Sequence, residues 1–89
     1  MSNLKKEAKS LRSFNVAAAA YILGERSNVV LKGSAERIGA TRDVLHASRA
    51  LYEELNNSSA TISSVASCLE SKRRAAQTFY AVTGVNWLL

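Results

Sequence analysis

An all-α fold is what this chain predicts, and three observations carry that expectation. There is no proline and there are only four glycines in 89 residues, so the turn punctuation of a compact β fold is missing. The composition leans on Ala, Leu, Ser and Arg, three of which are good or tolerated helix formers. Between Ser34 and Leu55 a helical period is readable directly. At about 100° per residue, Ile38, Thr41, Val44, Leu45, Ser48, Leu51, Tyr52 and Leu55 share one half of a cylinder, with Ala40 and Ala47 at its margin. Arg42, Asp43, His46, Arg49, Glu53 and Glu54 take the other half. The apolar arc is wider than a two-stranded coiled-coil seam, so this helix is expected to be central and to touch two neighbours.

The first helix is expected over 3–23, with Ser2 or Asn3 as its N-cap and Gly24 in the position of a left-handed C-terminal cap. Leu4, Ala8, Leu11, Ala18 and Ile22 make one stripe, flanked by Phe14 and Tyr21. From Phe14 onward Val16, Ala17, Ala19 and Ala20 extend the apolar character around the circumference, which predicts burial on several sides. The stretch 25–33 reads either as the first turns of the second helix, capped by Ser27, or as a loop with Val29, Val30 and Leu31 packed beneath it; the loop is preferred, with the second helix, 34–56, starting near Ser34.

Asn56-Asn-Ser-Ser59 is a turn, with Ser58 or Ser59 capping a third helix, 59–82, that Thr83-Gly84 stops. Ile62, Val65, Cys68, Leu69, Ala75, Ala76 and Phe79 share a face, and Lys72 projects from its middle. The predicted architecture is one three-helix domain built on an antiparallel hairpin of the second and third helices, ending in an apolar tail, 85–89. A core this small is marginal alone, so a homodimer or higher assembly is expected.

Twelve Lys+Arg against seven Asp+Glu leave a formal charge of +5, which favours acidic partners. The cations fall into three groups: Lys5, Lys6, Lys9 and Arg12; Arg42 and Arg49, with His46 between them; and Lys72, Arg73 and Arg74. Lys5, Lys9, Arg12, Lys72, Arg73 and Arg74 are the candidate phosphate contacts, and Arg42, His46 and Arg49 a candidate ridge for an acidic partner. Acidic residues dilute the middle group and no aromatics interleave with it, so single-strand stacking has little support. Residues 61–69, TISSVASCL, are similar to the first helix of a helix-turn-helix motif. The pattern then departs: Glu70 stands where the turn glycine belongs and Ser71 where an apolar residue belongs, and a continuous helix accounts for the same residues.

Enzyme signatures are missing. There is no phosphate loop or nucleophile elbow, and the single His and single Cys supply neither a metal site nor a disulfide within the chain. No catalytic residue, cofactor, metal or small-molecule ligand is expected. The basic residues before the apolar run 14–23 imitate a secretory leader, but Glu7 interrupts them and the A-x-A pattern of Ala18 and Ala20 lies inside the run, so no cleaved leader is expected. No run approaches the ~20 apolar residues of a membrane span, so the expectation is a cytoplasmic protein that does not contact membrane. Trp87, Leu88 and Leu89 are the candidate hydrophobic interface, either docked on the bundle or offered to a partner. The function expected is a small non-enzymatic interaction protein (adaptor, chaperone, inhibitor or assembly subunit) that binds another protein or itself. The alternative is a basic nucleic-acid-binding regulator using the third helix and the N-terminal lysines.

Overall fold

The computed structural model describes residues 13–89, and among these it holds three helices and no strand. The expected start of the first helix, with Lys5, Lys6, Lys9 and Arg12, lies outside the described residues. The described part of the first helix, α1, covers 13–22. It ends as its glycine dictates: Gly24 takes φ 89°, the Gly24 N–H donates to the Tyr21 carbonyl, and the Glu25 N–H reaches back to the Ala20 carbonyl. This is the paired bonding of a Schellman motif, which needs the left-handed conformation glycine adopts without cost.

Residues 25–32 run without regular structure, as expected, and alternate in burial: Val29 and Leu31 pack against the core while Val30 points outward. The expectation that all three pack inward was wrong for Val30, because an extended segment shows successive side chains to opposite sides. The Ser27 hydroxyl donates to the Ala17 carbonyl at 2.8 Å and pins this segment to α1.

The second helix, α2, is Ala35–Leu55 with Ser34 as N-cap, its hydroxyl accepting from the Arg37 N–H. The helix stops at Asn56, whose side-chain amide donates to the Tyr52 carbonyl, and the Asn57 carboxamide then accepts from the Ser59 N–H to turn the chain. The third helix, α3, is Ile62–Thr83. Its cap is Thr61, two or three residues later than the expected cap at Ser59 or Ser58. The reason is a reciprocal capping box: the Thr61 hydroxyl accepts from the Ser64 N–H and the Ser64 hydroxyl accepts from the Thr61 N–H, satisfying two donors where a lone serine would satisfy one. Gly84, at φ 73°, donates to the Tyr80 carbonyl and ends α3.

α2 and α3 pack on each other. At the link end, the Ser64 hydroxyl donates to the Glu54 carboxylate at 2.8 Å. Ala40, Val44, Leu45 and Ser48 are the buried centre of the α2 arc, while Leu55 at its end stays exposed. Ala18 and Ile22 of α1 meet Leu45 in a cluster that Phe14, Tyr21, Val29, Leu31 and Trp87 enclose. Burial of α1 on several sides was over-expected: Val16 remains exposed and Ala17, Ala19 and Ala20 are half-buried. Ser13, Val16, Ala17, Ala20 and Ser27 line an open groove of about 490 Å³ there.

Candidate interaction surfaces

The apolar face expected on α3 divides in two. Phe79 is buried and Val65, Cys68, Ala75 and Ala76 are half-buried, yet Ile62 is 92% exposed and Leu69 54% exposed. Ile62 and Leu69, expected to share a face with Phe79, are therefore not buried with it. They lie at the edge of the apolar arc turned away from α2, where Ala66 and Tyr80 are exposed beside them. Ile62, Ala66, Leu69, Arg73, Ala76 and Tyr80 follow a four-three spacing along the helix, the interval that keeps side chains in one line for a partner helix. Isolated exposed apolar residues are ordinary; a line of them along one helix is not.

The tail closes one end of the fold through Trp87. Its ring is half-buried, edge-on to Phe79 at 5.3 Å and to Phe14 at 6.4 Å between centroids, and its Nε1–H donates to the Ser48 hydroxyl at 3.0 Å. Ser48 sits on the apolar arc of α2 because it supplies this acceptor; at 3% exposure its hydroxyl has no water to turn to. The Thr83 hydroxyl accepts from the Val85 N–H and donates to the Phe79 carbonyl, which sets the direction of the tail after Gly84. The tail then passes Lys72, whose Nζ donates to the Leu89 main-chain oxygen at 3.0 Å. Trp87 is thus docked while Leu88 is 89% exposed. Arg73, Ala76, Gln77, Tyr80, Asn86 and Trp87 line a shallow groove of about 330 Å³ between α3 and the tail.

Of the Arg42, His46 and Arg49 ridge, Arg42 and His46 are exposed and Arg49 is half-buried. The Arg49 guanidinium lies 4.7 Å from the centre of the Tyr21 ring and donates to the Glu53 carboxylate at 3.0 Å, and the His46 ring sits 6.0 Å from Tyr21. The Glu53 hydrogen bond raises the Arg49 pKa above its ordinary value. Arg42 remains exposed.

Of the candidate phosphate contacts on α3, Arg73 and Arg74 are engaged within the helix. Glu70 takes Arg73 at 3.2 Å and Arg74 at 3.2 Å, and these side chains remain largely exposed. The Arg73 hydrogen bond first, then its charge, holds the Glu70 carboxyl below the usual range. Glu70 sits inside an unbroken helix, so the helix-turn-helix likeness of 61–69 ends with that motif's turn missing. Lys5, Lys9 and Arg12 lie outside the described residues. Among the described residues no three His, Cys, Asp or Glu side chains gather as a metal site, and no helix is long and apolar enough to cross a membrane. No family model matches this sequence, and neither a curated protein nor a solved structure matches it.

Proposed function

We propose that this chain is a non-enzymatic helical interaction protein that works by presenting the outer ridge of α3 to a protein partner. The alignment of exposed Ile62, Leu69 and Tyr80 on one line of α3 carries this reading. A hydrophobic ridge on a rigid helix is what helix-in-groove and helix-to-helix recognition use, and water gains when it is covered. The reading includes an antiparallel α2–α3 hairpin as the rigid support. It is supported by the Glu54–Ser64 bond beside the link, and by the tail after α3 returning Trp87 to Ser48 on α2. The absence of chemistry in the reading rests on composition, with one His and one Cys in the chain, His46 beside Tyr21 and Cys68 half-buried on α3.

A photo-crosslinking residue placed at Ile62, Leu69 or Tyr80, and at Ser67 on another side of α3, tests it in the native cell. Adducts to protein are expected from the three ridge positions and not from Ser67. No adduct from any of the three would end the reading. The nucleic-acid alternative draws on the +5 charge but has its α3 arginines already paired to Glu70. Duplex binding that weakens steeply between two salt concentrations would restore it.

A further inference from the structure

We infer that the partner covering the α3 ridge is an acidic amphipathic helix of another protein, its apolar stripe on Ile62, Leu69 and Tyr80 and its carboxylates on the flank that meets Arg73. This rests on the proposed reading of the ridge as a contact surface and names the chemistry of its occupant. The argument is where the charge lies. Between residues 13 and 61 five Lys and Arg are matched by five Asp and Glu. Between 62 and 89 Lys72, Arg73 and Arg74 stand against Glu70 alone, so the whole positive excess of the described residues sits on the helix that carries the exposed apolar line. A second copy would bring the same excess to the seam, and like charges select against it.

Arg73 stands on the apolar line itself, between Leu69 and Tyr80. Glu70 accepts from both Arg73 and Arg74, which remain 67% and 78% exposed, so guanidinium N–H donors are left for a second carboxylate. Lys72 keeps its ammonium at the tail, on the Leu89 main-chain oxygen. A phosphate backbone could meet these cations but would gain nothing from Ile62, Leu69 and Tyr80; a helix with an apolar stripe and an acidic flank covers both. The line is also narrow, bordered by Ser63, Glu70 and Gln77 on the side away from α2, whereas a lipid surface takes a broad apolar face. Ile62 and Tyr80 are about 27 Å apart along the helix, the length of about five turns in a partner. An apolar side chain of that partner fits the groove that Ala76, Tyr80 and Trp87 line.

Selection from a phage-displayed library of helices of ~18 residues tests the inference, with Leu and Ile fixed at three-four spacing and the flanking positions free. On the full wild-type chain the recovered flanks are expected to favour Asp and Glu over Lys and Arg by at least ~10-fold. The preference is expected to reverse on Arg73→Glu and to grow on Glu70→Gln, which releases both arginines. A recovered peptide, labelled and titrated, should bind Leu69→Ser at least ~10-fold more weakly than wild type. The circular dichroism of Leu69→Ser should be unchanged, because Leu69 is more than half exposed. A library that yields no binder or no acidic preference, or a preference unmoved by both charge variants, would overturn the acidic helix. Sedimentation of the chain with phosphatidylglycerol vesicles that Leu69→Ser abolishes would overturn it too, by making the occupant a membrane. In each of these cases photo-crosslinked adducts to protein at Leu69 would leave the interaction reading standing, and their absence would remove both.

Discussion

Replacing Trp87 by alanine tests how much of the fold depends on the tail. The ring makes two edge-on aromatic contacts, with Phe79 and Phe14, and one hydrogen bond to a buried hydroxyl. Each aromatic pair is worth about 0.5–1.5 kcal/mol beyond its area, and leaving the Ser48 hydroxyl without its donor costs about 1 kcal/mol. A fully buried Trp→Ala change costs about 3–5 kcal/mol; Trp87 is half-buried, so about 2–4 kcal/mol is the expected loss. An 89-residue chain has on the order of 4–13 kcal/mol in total, so the variant should be close to unfolding in mild denaturant. Urea titration followed by circular dichroism at 222 nm measures this without relying on the lost fluorophore. Trp87→Phe keeps most of the ring and removes the N–H, and should cost about 1 kcal/mol. A Trp87→Ala variant within about 0.5 kcal/mol of wild type would mean that the tail lies on the surface without sealing it, and the account of Ser48 would fall with it.

Thr61→Ala removes one half of the α3 capping box and should cost about 1 kcal/mol, read from the same titration; Ser58→Ala and Ser59→Ala should change stability little, since neither hydroxyl caps the helix. Gly84→Ala has open space for its methyl, so its effect is conformational alone, a loss of about 1–2 kcal/mol from forcing a left-handed φ on a residue with a Cβ. Because Arg73 and Arg74 hold the Glu70 carboxyl below its unfolded pKa, Glu70 contributes stability above the unfolded value and loses it as pH falls through the folded one. An NMR titration should place Glu70 below the ordinary carboxylate range, and Arg73→Gln should raise it more than Arg74→Gln does.

Local signals in this chain were legible because single residues decide them. Ser34 and the glycines at 24 and 84 each stand where a helix end requires their chemistry, and the α2 arc was visible since its apolar and charged halves alternate cleanly. The start of α3 was harder: five of the six residues between Asn56 and Thr61 can cap or turn, and only the reciprocal bonding of Thr61 with Ser64 singles one out. The ridge itself was hidden for a different reason. Periodicity reports which residues share a face, but Ile62, Leu69 and Phe79 fall on adjacent parts of one broad arc, and only the position of α2 shows where burial stops. The Arg49 contact was equally out of reach, because it joins Tyr21 of α1 to a residue on the charged side of α2. A charge reversal that probes the Arg42, His46 and Arg49 group belongs at Arg42, which is exposed, since Arg49 lies on the Tyr21 ring of α1.

Methyl NMR of the chain, recorded as an acidic helical peptide selected on it is added, tests most directly whether the outer ridge of α3 is a contact surface. The account predicts that the Ile62 and Leu69 methyl signals shift and broaden together while those of Val44 and Ile22, enclosed in the fold, stay in place. Signals of Ile62 and Leu69 that remain fixed and sharp at every peptide concentration, with no change when a captured protein is added, would contradict it.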